Sequence, residues 1–280
     1  MFPRVPACRL LLTALLWPVL VSAGCGAGTG ERAVVLAATT STQDSGLLDV
    51  LVPAFEADTG RRVRTLALGS GQAIALARRG EADVVLAHSP GSERELMASG
   101  VAGRRRPVMT NDFLLVGPRA DPAGVSGLEP GEALERVART RSAFVSRGDE
   151  SGTHVFERAL WGRAGIAPRA PWHQETGQGQ SATLRIAAER DAYALTDRAT
   201  YLATSAGAGL AVLVDGGPGM ANPYHVIDVT ARAGSRVNAA GGAAFAEWLA
   251  GARGQALIGA FGSEQHGRAL FEPHVTATKR

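Results

Sequence analysis

The 280-residue chain has one lysine, Lys279, only two cysteines and 5% aromatic residues, and each shortage closes off a class of function. With no lysine before position 279, P-loop phosphate binding, Schiff-base chemistry and Ser-Lys catalysis lack their side chain. Cys8 and Cys25 both lie near the N-terminus and cannot staple a fold internally. Arginines are scattered among acids, Arg104-Arg105-Arg106 is the only tight run, and so no basic, aromatic-rich face for nucleic acid is expected. The six histidines, His88, His154, His173, His225, His266 and His274, show no paired zinc-type spacing. No G-x-S-x-G elbow occurs. Gly177 to Ala182 matches G-x-G-x-x-A, but Pro171 to Thr176 before it does not read as the buried strand a dinucleotide site needs.

What is present is an ordinary globular composition: 45% hydrophobic, 20% charged, 35 Gly and 14 Pro. That length suggests roughly two domains. Arg4 and Arg9 precede an apolar stretch from Leu10 to Val21, followed by Ser22, Ala23 and Gly24, the order of a secretory signal. The stretch is too short for a bilayer, which takes about 20 residues. Val21-Ser22-Ala23 fits an ordinary cleavage site. Gly24-Cys25 resembles a lipobox, with Ser22 where Leu or Val is usual, and predicts a lipid on Cys25 with residues 25–31 as a flexible tether. Loss of residues 1–24 removes Arg4 and Arg9 and takes the formal charge from +3 to +1.

From Ala33 onward, short apolar runs alternate with helical periodicity. Strands are expected at 33–37, 63–68, 83–87, 113–116, 143–145, 193–195, 210–214 and 226–229. Helices are expected over 47–58, where Pro53 should kink or delay the start, and over 72–79, 92–99, 132–139, 153–163, 181–190, 243–249 and 255–261. This alternation predicts parallel β/α units.

In open parallel sheets, ligands lie beyond the carboxyl ends of the strands. Three such places carry hydroxyls: Thr39-Thr40-Ser41-Thr42, Gly69-Ser70-Gly71-Gln72, and Ser146-Arg147-Gly148-Asp149-Glu150-Ser151-Gly152-Thr153. Each offers hydroxyl donors and backbone N–H groups where a helix starts, which favours an anion. Arg147 adds a charged fork of donors that Asp149 could hold in place. Ser and Thr are also ordinary N-caps, but three such loops with one arginine fit a small tetrahedral dianion. Ser151 beside His154 leaves a nucleophile and base of a secreted hydrolase as an alternative.

These segments, with Thr39 to Leu48, Asn111-Asp112-Phe113, Glu175 to Gly179 and Thr196-Asp197-Arg198, resemble the tungstate-binding proteins of bacterial ABC transporters from about Val34 to Phe271. The resemblance implies an α/β, two-lobed type II periplasmic-binding-protein fold, each lobe a mostly parallel sheet flanked by helices, with the oxyanion in the cleft. The expected divisions are 32–111 and 207–275 for lobe I, 112–206 for lobe II, and a tail at 276–280. The implied ligand residues are Thr40, Ser41, Ser70, Gly71, Arg147, Ser151, Gly152 and Thr153. Ser181 stands where relatives often carry Gly, so Thr183 is given no role. The resemblance further implies a non-enzymatic monomer on the extracytoplasmic face, without cofactor or metal cation, that closes on its ligand and delivers it to a permease with its ATPase. Tungstate and molybdate only accept hydrogen bonds at neutral pH, whereas hydrogen phosphate also donates one and wants a carboxylate. If Asp44 faces outward as a helix-start residue, phosphate is disfavoured. A molybdate- or phosphate-binding protein of the same fold and a one-component sensor are the other readings.

Overall fold

The computed structural model describes residues 32–204, 208–217 and 219–274. The expected signal segment, Cys25, the tether, the boundary near 206 and the tail lie outside the described residues. Val34–Thr39 (β1) is an almost unbroken apolar run, buried along nearly its whole length. Such a strand belongs in the middle of a sheet, and it pairs in parallel with Val63–Leu68 (β2) on one side and Val84–Ala87 (β3) on the other. Its alternate side chains feed two cores. Leu36 and Ala38 pack with Leu47–Thr59 (α2), while Ala37 packs with Ser70–Arg78 (α3) and with Leu96 of Pro90–Ala98 (α4). Pro53 does not delay α2, which runs unbroken from Leu47. The ring is exposed, so the carbonyl of Asp49 that loses its helical partner can bond water instead.

Ala102–Pro118 (β4) is the strand that joins the two halves. Residues 102–112 pair antiparallel with Ala221–Val229 (β9), which continues antiparallel onto β3. Its last six residues pair instead with Ala194–Asp197 (β7) and Leu210–Asp215 (β8). Phe113 and Leu115 face a core built with Pro130–Thr140 (α5) and Gly152–Arg163 (α6), whereas Leu114 and Val116 face Gln180–Glu189 (α7). Phe144–Ser146 (β5) pairs in parallel with His173–Glu175 (β6), a largely exposed three-residue edge, and Arg198–Ala203 (α8) follows β7 directly. Ala239–Ala250 (α9) and Ala252–Ala260 (α10) return to the first core through Phe245, Leu249 and Ile258.

Three expectations need correction. The sheets are mixed, because β4 and β9 run antiparallel to their neighbours while β1, β2 and β3 are parallel. The strand expected at 113–116 starts eleven residues earlier, at Ala102. The arginine run hid it: Arg105 bonds Glu93 at 2.8 Å and Arg106 bonds Asp228 at 2.6 Å, so these cations are neutralised by neighbouring acids in the fold. Finally, β8 falls in the expected return segment of lobe I, yet Leu213 and Val214 are buried in the second core and β9 is the return.

The start of α9 is clamped to β3 by a buried carboxylate. Asp83 accepts from Val35 N at 2.8 Å and from Asn238 N at 2.6 Å. A Cβ on Gly242 would lie 2.1 Å from the Asp83 carbonyl oxygen, so only glycine lets α9 approach this closely. Gly242→Ala is therefore expected to destabilise the fold by about 2–4 kcal/mol in urea unfolding. Gly162→Ala, on the exposed side of α6 with nothing within 4 Å of the added carbon, is expected to be neutral or to stabilise by about 0.5–1 kcal/mol.

Candidate functional site

The run of hydroxyls after β1 is not an open loop. Thr40–Asp44 (α1) is helical, and Thr39 holds its first turn by accepting from Thr42 Oγ1 at its carbonyl, 2.7 Å away. Ser41 Oγ lies 3.0 Å from Thr39 Oγ1 and 2.9 Å from the hydroxyl of Tyr224 on β9. Thr40 is half-buried and points across to the second half, where its Oγ1 accepts from Arg147 Nη2 at 3.3 Å.

Arg147 follows β5 and is 2% exposed. Asp149 Oδ2 accepts from its Nε at 3.2 Å and its Nη2 at 2.5 Å, while Asp149 Oδ1 accepts from Ser151 N at 3.2 Å. One carboxylate thus fixes the guanidinium and the approach to α6 together. Gly148 and Glu150, both at positive φ, make the tight turn this requires. Nη1 of Arg147 has no partner among the described residues.

The N-termini of α3 and α6 face each other at close range. A Cβ on Gly71 would lie 3.4 Å from the Glu150 carbonyl oxygen, and one on Gly152 would lie 2.6 Å from Cε1 of His88. Ser70, fully buried, accepts from His88 N at 3.4 Å, and Ser151 caps α6 by accepting from His154 N at 3.3 Å. Thr153 is 1% exposed and its hydroxyl has no partner among the described residues. All eight residues expected from the sequence therefore fall in one connected cluster, and it joins the two halves of the fold.

The cluster includes groups that the sequence reading left without a role. Burial pushes the imidazole of His88 down to about 4. The ring stacks on Tyr224 with centroids 4.5 Å apart, and its Nδ1 lies 2.7 Å from Asn222 Oδ1. His88 is therefore an uncharged packing group at neutral pH. Asp197 is fully buried at the end of β7 and caps α8; its Oδ1 accepts from Thr200 N at 2.9 Å and from Asn111 Nδ2 at 2.8 Å. Its Oδ2, the hydroxyl of Thr200 and Oε1 of Gln180 are buried without partners among the described residues. The rule that pointed to the other strand ends also covers Asp197, which follows a strand and opens a helix.

Asp44 closes α1 rather than opening a helix, and it does not face solvent alone. Its Oδ2 accepts from Ser181 Oγ on α7 at 2.9 Å. The geometry does not form a hydrolytic pair: among the described residues no hydrogen bond joins the Ser151 hydroxyl to the His154 ring, whose Nδ1 accepts from Glu150 N at 3.1 Å, and Ser151 Oγ caps α6. His154 cannot take a proton from Ser151 through that nitrogen.

A PBP superfamily domain matches residues 26–253. The tungstate-binding protein TupA of Peptoclostridium acidaminophilum is 40% identical over 278 residues, which is 95% of this chain and 97% of that protein. Among solved structures, the tungstate ABC transporter of Geobacter sulfurreducens is 40% identical with a TM-score of 0.75, over 83% of this chain and 100% of that one. The tungstate-binding protein TupA of Desulfovibrio alaskensis G20 is 38% identical with a TM-score of 0.72, over 88% of this chain and 100% of that one. The chain belongs to the PBP superfamily and, within it, to the TupA-like family with the two-lobed type II periplasmic-binding-protein fold.

Proposed function

We propose that this protein is the extracytoplasmic solute-binding component of an ABC importer and that it captures tungstate between its two lobes for a membrane permease with its ATPase. The observation that carries this reading is the buried guanidinium of Arg147, held by Asp149 and reaching Thr40 on the opposite lobe at 3.3 Å with Nη1 left over. An oxyanion satisfies donors on both lobes only when they are together, so binding favours closure and a permease can read the closed form. In this account Thr40, Ser41, Ser70 and Gly71 bind from the first lobe, and Arg147, Ser151, Gly152 and Thr153 from the second. The hydroxyls of Ser41, Ser70 and Ser151 are engaged with protein partners, and each group at a helix start still leaves backbone N–H groups to offer. Lipid attachment at Cys25, action as a monomer and the lobe limits belong to the same proposal, with β8 assigned to the second lobe.

Tungstate and molybdate are donor-free tetrahedral dianions at neutral pH and suit a site built from donors. Two carboxylates beside this cluster's donors already have partners, Asp149 with Arg147 and Ser151 and Asp44 with Ser181, while Asp197 Oδ2 has none among the described residues. The two engaged carboxylates speak for tungstate and molybdate over hydrogen phosphate, and the tungstate-binding relatives favour tungstate.

Isothermal titration with tungstate, molybdate, sulfate and phosphate is expected to give tight tungstate binding and weak phosphate binding. Tight phosphate with no tungstate binding contradicts the reading. Arg147→Ala is expected to cost about 2–4 kcal/mol of tungstate affinity, because it strips the charged partner from a desolvated anion. Thr153→Val behaves differently. Removing a buried hydroxyl that has no partner is expected to raise the melting temperature of the free protein slightly while costing about 1–2 kcal/mol of binding. Unchanged tungstate affinity in both variants would place the site elsewhere.

A further inference from the structure

The tungstate reading, on which this inference rests, gives no task to Asp197. A fully buried carboxylate ordinarily has a cation beside it. Among the described residues, no ion pair includes Asp197. Its Oδ1 accepts from Asn111 Nδ2 at 2.8 Å and Thr200 N at 2.9 Å, and its Oδ2 is buried with no partner. An ionised carboxylate there would leave its charge without an ion pair, whereas a carboxylic acid carries no charge.

Its position ties it to the anion site. Asp197 caps α8, and α8 packs on α1, which carries Thr40 and Ser41. Asn111, which holds its Oδ1, also lies beside the hydroxyl of Tyr224, the group bonded to Ser41 at 2.9 Å. We propose that Asp197 is kept as a neutral carboxylic acid behind the oxyanion site, and that this uncharged state spares the bound dianion a buried negative charge. Ionised, it would repel the dianion across Asn111 and Tyr224. Neutral, it exerts no such repulsion.

The surrounding groups agree. Burial raises the Asp197 carboxyl above its ordinary value, with hydrogen bonding from Thr200 and Asn111 and the charge of Arg147 opposing that shift. Burial pushes the Tyr224 phenol upward, so it stays protonated. On the elements packed against α8, Asp112 of β4 faces Arg198 at 3.4 Å, and Asp44 of α1 faces Ser181 of α7. Arg198 also pairs with Asp215, while its Nε is buried with no hydrogen-bond partner among the described residues. None of these groups forms an ion pair with Asp197 among the described residues. A bound dianion would hold the Asp197 proton more tightly, so tungstate affinity should fall as pH rises through the raised value of the free protein.

The proton can be read without any ligand. Carbon-13 NMR titration of aspartate-carboxyl-labelled protein is expected to show one carboxyl that keeps its proton to higher pH than the exposed aspartates. Asp197→Asn should remove that resonance. Asparagine matches the neutral acid in shape, cap and donor, so the variant should fold and hold tungstate within about threefold of the wild type across pH. The wild type should lose affinity toward alkaline pH, by up to about tenfold per unit, where the variant does not. An ionised Asp197 in both free and tungstate-bound protein overturns the proposal, as does a hundredfold loss of tungstate affinity in a folded Asp197→Asn protein. If tungstate does not bind the wild type at all, the binding reading fails, and the resonance of the free protein still reports on the acid by itself.

Discussion

Everything at the interlobe cluster depends on holding one guanidinium out of water without neutralising all of it. Arg147 is almost wholly buried, and a buried cation lacking a partner would cost several kcal/mol. Asp149 meets that cost through Nε and Nη2 and, through its other oxygen, ties the arginine to the first amide of the α6 cap. The pairing is one-sided, which leaves Nη1 and the reach toward Thr40 for function. A symmetric ion pair in the same place would have fixed the loop and left nothing with which to bind.

The same constraint explains the close approaches around it. Two helix starts can converge on one small anion only if the backbones come close; a Cβ at Gly71 would already touch the Glu150 carbonyl oxygen at 3.4 Å, and one at Gly152 would collide with His88. Gly152 against His88 is the tightest case, and the imidazole there is uncharged because burial has removed its proton. A charged His88 beside Arg147 would repel it. The packed, neutral ring supports the cluster without competing for the anion. Behind the loops, β4 carries the continuity: its first part belongs to the first core and its last six residues to the second, so the chain passes between lobes along a strand and returns along β9.

Most of the site was legible because its chemistry is local. Hydroxyls and an arginine at strand ends before helices are visible in a linear sequence, and so was the family resemblance carried by the same segments. What could not be read was set by distant partners. The long β4 was hidden because Arg105 and Arg106 look like solvated charges until Glu93 and Asp228 stand beside them. β8 was given to the wrong lobe because its apolar pattern is satisfied equally by either core, and only pairing with Leu114–Pro118 decides. Asp44 looked like an outward helix-start acid until Ser181, more than a hundred residues away, supplied its hydrogen bond. Asp197 ends a strand and opens a helix as the other loops do, but its burial without an ion pair among the described residues is set by the fold.

The central claim is that one oxyanion bridges the two lobes at Arg147. Anomalous diffraction at a tungsten absorption edge from crystals grown with tungstate locates that atom directly. The account predicts a single strong peak within hydrogen-bonding reach of an oxygen shell touching Arg147, Thr153 and the start of α1. A tungsten peak elsewhere on the chain, with Arg147 still bonded only to Asp149 and Thr40, would contradict it.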